Sequence, residues 1–236
     1  FLLSSIALSQ VMESEELLLK PLKAKKIMSN ESITSDDSGT IIFDNEKSKI
    51  TWIGGLKYGL SNHDGNMKMM SGNLMISKDI KLSGSVVINM QSMTNNDLPT
   101  GAKDRLIGHL KSADFFNVNE YPTASFSITN SDIIQRISNN KYKIKITGDL
   151  SIKGKTNKIS FDAIIDLEND VKKASGKLVF NRTNYGVQYR AEMHLDDPNS
   201  FWNQLQTSRD AVKDKVIRDE IEIGFAIESL PGLLVK

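Results

Sequence analysis

The stretch from Lys141 to Leu167 restricts the fold more than any other part of the chain. Its first arm places apolar residues on even positions: Tyr142, Ile144, Ile146, Leu150 and Ile152. After Lys153-Gly154-Lys155-Thr156, its second arm places them on odd positions: Ile159, Phe161, Ala163, Ile165 and Leu167. A period of two sets each arm's apolar side chains on one face of a pleated strand. The Gly-containing connection is short enough for a hairpin with a tight or bulged turn. One face is then apolar, the other carries Lys, Thr, Asp and Ser, and the apolar face has to be covered.

The same alternation recurs along the chain. Ile41–Phe43 and Ser48–Ile53 read as a first strand pair, with Ile50 and Trp52 on one face and a break at Gly54-Gly55. Met67–Met70 and Ser71–Ser77 follow, then Lys81–Met90, Thr123–Thr129 and Ala174–Asn181, and a last strand over Arg218–Glu228. Two interruptions read as helices. Gly101–Lys111 gathers Leu106, Ile107 and Leu110, and Pro198–Lys215 gathers Phe201, Leu205 and Val212. No βαβ rhythm is present, so the sheet is expected to be antiparallel.

Such a sheet hides its apolar face by splitting into a sandwich or by closing into a barrel, which also removes its edges. At 236 residues, 39% of them hydrophobic, the chain is long enough for either. An eight-stranded barrel just fills with side chains or holds one small ligand. A net charge of +1, without a Lys/Arg block, argues against a nucleic-acid partner. Zero cysteine excludes disulfides and thiol chemistry. No apolar run reaches the length of a membrane span.

Residues 1–9 begin without Met and resemble the back half of an export signal, with small Ala7 and Ser9 at cleavage spacing. A clipped signal peptide is the expectation; an apolar tail from a strand or helix end is the other reading. Residues 10–39 read as a polar leader, and 40–230 as the barrel domain.

Four stretches together carry a family resemblance. Phe43-Asp44 through Ile50-Thr51-Trp52 is similar to its opening strand. Asp104-Arg105, then His109 to Asn117, then Tyr121-Pro122-Thr123-Ala124-Ser125-Phe126 resemble its most diagnostic segment. Gly148 to Thr156 matches a G-x-L-x-I-x-G-x-T hairpin, and Arg182-Thr183-Asn184-Tyr185-Gly186 an R-x-x-[FY]-G signal. The chain thereby resembles the YceI-like family over about residues 42 to 229, in the variant of Bacteroidetes-type bacteria that carries His63-Asp64-Gly65. The segment Tyr189–Lys215 looks longer than in that family. The resemblance implies an all-β fold: an antiparallel lipocalin-like barrel of about eight strands with one or two short helices. It also implies export to the bacterial periplasm or beyond, and a polyisoprenoid or fatty-acyl ligand in the lumen.

The residues expected to hold the ligand's tail are Trp52, Leu74, Ile76, Val86, Ile88, Phe126, Ile128, Ile144, Ile146, Leu150, Phe161, Phe180, Ile223 and Phe225. Asp104, Arg105 and His109 either form a polar lid over a headgroup or fix the crossover by bonding to backbone. Arg182 either pairs with a phosphate or carboxylate or closes a salt bridge at a strand end. His63, His109 and His194, the three histidines, show no zinc-type spacing, so no metal and no cofactor are expected. Asp149 and Asp162 read as partners of lysines on the polar face, and no nucleophile motif is present. The chain therefore reads as a non-enzymatic carrier or sequestering protein. The alternative is a barrel filled by its own side chains that serves as an interaction module. A homodimer would suit a ligand with more tail than one lumen covers.

Overall fold

The computed structural model describes residues 39–59, 61–194 and 215–235. Nine strands lie there: β1 (Gly39–Phe43), β2 (Lys49–Gly55), β3 (Asn62–Ile76), β4 (Leu82–Asn89), β5 (Thr123–Ser138), β6 (Lys141–Ile152), β7 (Lys155–Asp166), β8 (Lys173–Asn181) and β9 (Glu220–Val235). One α-helix, α1 (Thr100–Lys111), sits in the crossover from β4 to β5. Every consecutive pair from β2 to β9 is antiparallel, and β9 returns to pair with β2. The result is a closed eight-position barrel with one α-helix among the described residues.

β1 does not pair with β2, contrary to the expected first hairpin. It pairs with β3 and β9 beyond the end of β2. The two segments therefore share one position in the wall, joined by a turn at 44–48 that does not reverse the chain. In that turn Asp44 Oδ1 accepts from the backbone N–H groups of Glu46 and Lys47. Gly54 and Gly55 remain inside β2, and the two methionine-rich segments merge into β3 with an irregularity between Met69 and Ser71. The expected helix over 198–215 falls outside the described residues apart from its last position, and the expected export signal and leader fall outside them up to residue 38.

The hairpin forms as its pattern dictates. All twelve residues of β6 pair with β7, from Lys141↔Asp166 to Ile152↔Lys155. Lys153 and Gly154 both adopt positive φ (49° and 71°), as a two-residue turn matched to strand twist requires. On the outer face Lys143 meets Asp162 at 3.0 Å and Lys158 meets Asp149 at 3.1 Å. The turn supports the crossover: Lys153 Nζ donates to the carbonyls of Ala113 and Phe115. The register between β7 and β8 is short by comparison, running only from Ala163↔Gly176 to Asp166↔Lys173.

The interior divides into two apolar clusters. One closes the end formed by the start of β6 and the close of β7, where Ile41, Tyr142, Ile144, Ala163, Ile165 and Leu167 are buried. The other lies under α1 and the crossover and includes Trp52, Met90, Phe115, Phe116, Phe180 and Tyr185. Gly65 matters here, because the crossover crosses β3 directly above it. Trp52 Nε1 donates to Thr94 O at 3.0 Å, and a Cβ on Gly65 would collide with that same carbonyl. Among the described residues no helix is long and apolar enough to cross a membrane.

Candidate functional site

Between the two clusters the inward-facing side chains do not fill the space the wall encloses. Val86, Ile88, Phe126, Ile128, Phe161, Ile223 and Phe225 lie on the inner phase of their strands yet are only partly buried. In a closed wall, an inward side chain that keeps accessible surface faces a hollow. That hollow measures about 390 Å³, within the range of small-molecule sites. Its deep end is formed by Phe43, Leu74, Ile165 and Ile227. Three rings in its lining touch in series, Phe126 tilted against Phe161 and Phe161 edge-on to Phe225, at centroid distances of 5.4 and 5.7 Å. Gly148 admits the first of these rings, since a Cβ there would strike Phe126 and the backbone of Ser127.

Of the residues expected to line the lumen, Trp52, Leu74, Val86, Ile88, Phe126, Ile128, Ile146, Leu150, Phe161, Phe180, Ile223 and Phe225 border the cavity. Ile76 and Ile144 do not. They have the same inward phase but sit in the closed-end cluster, 6% and 0% exposed, where opposite walls touch and leave no space. Strand phase gives the side a residue faces and says nothing of its depth along the barrel.

The polar candidates separate more sharply. Asp104 and Arg105 are exposed on α1 and do not border the cavity. The helix turns Leu106, His109 and Leu110 inward instead, and the two earlier residues fall outside that arc. His109 lies edge-on to Tyr189 (4.6 Å) and Phe115 (5.2 Å). Its Nε2 is buried with no hydrogen-bond partner among the described residues.

Arg182 is fully buried and has no donor left for a ligand. Nε donates to Arg218 O, and Nη1 to Val187 O and Tyr189 O. Nη2 donates to Ile217 O and to Asp219 Oδ1 at 3.1 Å. These bonds use all five N–H groups of a guanidinium. The headgroup reading of Arg182 is therefore corrected: the side chain staples the 187–189 segment to the approach of β9. Burial pushes the Arg182 pKa down and that of Asp219 up, in each case outweighing their mutual attraction.

Sequence reasoning did not mark Arg190 and Arg218, which border the cavity, nor His63 as a lining residue. Arg190 stands in a segment without periodicity and Arg218 at the first position of the expected last strand, ahead of its apolar set, so no pattern pointed to either. His63 was visible as part of the His63-Asp64-Gly65 motif. Its Nδ1 lies 2.7 Å from Asp97 Oδ2. Burial pushes the Asp97 pKa up, but hydrogen bonds from His63, the backbone of Asp64 and Asn95 outweigh it and lower it to about 2.

The profile of the YceI-like domain matches residues 42–229. The chain belongs to the YceI-like family. Solved structures agree with this YceI-like assignment in fold. BcnA from Burkholderia cenocepacia superposes with a TM-score of 0.57 at 19% identity, covering 80% of this chain and 99% of that one. A polyisoprenoid binding domain from Saccharophagus degradans, implicated in plant cell wall breakdown, gives a TM-score of 0.52 at 13% identity, with 83% and 99% covered. None of the curated protein sequences compared with the chain matches it.

Proposed function

We propose that this YceI-like protein binds a hydrophobic amphiphile in its lumen, a polyisoprenoid or long-chain lipid, and carries or sequesters it without transforming it. The observation that carries the reading is the apolar hollow held open between two packed ends. Burial of a CH₂ group contributes ~0.8 kcal/mol, so a five-carbon isoprene unit contributes up to about 4 kcal/mol before ordering costs. A few units reach tight binding without special polar contacts. The polyisoprenoid binding of the Saccharophagus degradans relative supports the ligand class. The alternative of a lumen filled by its own side chains loses support from the cavity. Location in the periplasm or outside the cell remains part of the proposal and rests on residues 1–9 and on the family.

The test is mass spectrometry of an organic extract of the purified protein, followed by titration with a polyprenyl lipid. An amphiphile in the extract, or saturable uptake that Ile88→Trp abolishes by filling the lumen, is the expected result. No extractable lipid together with no uptake would end the carrier reading.

A further inference from the structure

The joint between β7 and β8 is the open seam of the barrel wall. β7 offers twelve residues and β8 nine, yet only four of each pair, from Ala163↔Gly176 to Asp166↔Lys173. By contrast all of β7 pairs with β6, and all of β8 with β9. Each strand is thus held by its other neighbour, and the two part beyond Ala163 and Gly176. Side chains divide the same way. On the outer face of the parted stretch Lys158 meets Asp149, Ser160 bonds to Thr147 and Asp162 meets Lys143, all on β6. Lys177 meets Glu222 on β9. Among the described residues no hydrogen bond or ion pair joins 158–162 to 177–181. The strands are tied again only past that stretch, where Asn157 Nδ2 donates to Asn184 O at 3.3 Å. The seam is therefore a slit closed at both ends.

The cavity lies directly behind it. Phe161 on one bank, and Leu178 and Phe180 on the other, border the hollow. Gly176 stands at the fork without a side chain. The Phe225 ring of β9 takes the space there, and a Cβ would strike that ring and Asp162 O. Phe161 rests edge-on against Phe225, and both are only partly buried, as is Leu178. The inner lip is thus made of side chains that can turn, and the outer lip carries exposed Val179 (56%). Parting two strands ordinarily breaks the ladder bonds between them. Here the banks can separate by the width of a hydrocarbon chain without breaking one.

Resting on the carrier reading above, we propose that this slit is a lateral portal. The apolar tail of the guest passes between β7 and β8, over Val179, and slides past Phe161 and Leu178 into the lumen.

The chain has no cysteine, so introduced thiols are unique. Continuing the β7–β8 register sets Ser160 opposite Val179, both exposed on the outer face. In Ser160→Cys/Val179→Cys a short, reducible bifunctional thiol reagent staples the slit. The control is Met75→Cys/Ser83→Cys, an exposed pair across the intact β3–β4 ladder. Stopped-flow fluorescence follows uptake and release of cis-parinaric acid, a fatty acid that brightens in apolar surroundings. Stapling should slow uptake and release alike, about tenfold or more, with Kd unchanged, and reduction should restore both rates. The stapled control should keep its rates. If the double variant does not fold or does not cross-link, Val179→Cys alkylated with a bulky maleimide replaces it. The same slowing is then expected relative to Met75→Cys treated alike. Unchanged rates mean entry by an end of the barrel and overturn the portal while leaving the carrier reading intact. Slowing that comes with a loss of affinity, or that the control shares, overturns it as well. No uptake by the unmodified chain overturns the carrier reading and the portal together.

Discussion

The two ends of the barrel are closed by different physics. At the end built from Tyr142, Ile144, Ala163, Ile165 and Leu167, alternating apolar residues from neighbouring strands meet across the axis, and burial alone seals it. At the other end the chain stops alternating. There the 3-10 turn that carries Arg182, the 187–189 segment and the approach of β9 are joined by one buried guanidinium that binds four carbonyls and a carboxylate. A seal made of side-chain volume tolerates any well-shaped hydrophobe. A seal made of hydrogen bonds to backbone fails if its one donor group is lost.

The largest expected effect comes from removing that donor group. Arg182→Met leaves the carbonyls of Val187, Tyr189, Ile217 and Arg218 and the carboxylate of Asp219 unsatisfied. Breaking a buried charged pair costs about 3–5 kcal/mol. For a domain of this size that lowers the melting temperature by roughly 10 °C or more, as read by calorimetry. A loss under about 1 kcal/mol would show that water or neighbouring segments replace the guanidinium readily, and the contrast between the ends would collapse.

Next in size is a pair of truncations on the same interior phase. Ile144→Ala, at the sealed end, should cost about 2–5 kcal/mol of stability, because the cavity it leaves is only partly refilled. Val86→Ala, beside the existing hollow, should cost about 1 kcal/mol, since its side chain is already short of neighbours. Ligand affinity should move in the opposite order, falling for Val86→Ala and holding for Ile144→Ala. Denaturant titration with and without a bound polyprenyl lipid reads both quantities.

The same contrast governs what could be read from residue order. The β6–β7 register and the inward phase of Phe126, Phe161 and Phe225 follow from period-two alternation, which local sterics impose on any strand; alternation suits a sandwich as well as a barrel, and closure was implied by the family resemblance alone. The failures have physical causes too. Ile144 and Ile146 share one phase, yet only Ile146 reaches the cavity, because depth along the axis depends on how far opposite walls stand apart. Arg182 was visible in its motif, and its contact with Asp219 is the strand-end salt bridge of one of its two readings; its four carbonyl partners, as far away as Arg218, were not visible. β1 and β2 look like a hairpin because both alternate; only the path of the 44–48 turn, which does not reverse, makes them one wall position.

The smallest expected effect tests the polar end from its rim. The Asp97 carboxyl has a pKa of about 2 in the folded protein against an ordinary 3.8, through His63, Asp64 N–H and Asn95. A carboxyl whose pKa is depressed by folding stabilises the folded state above its unfolded value, and the contribution disappears as pH falls through the folded value. The window is therefore from about pH 4 down to about pH 2. The group is partly exposed, 30% by side-chain area, so solvent screening keeps the effect small. Denaturant midpoints should fall more for the wild type than for Asp97→Asn across that window, and the two should run in parallel above pH 5. If they also run in parallel below pH 4, the His63–Asp97 contact is an incidental surface pairing, and the rim owes its order to Arg182 alone.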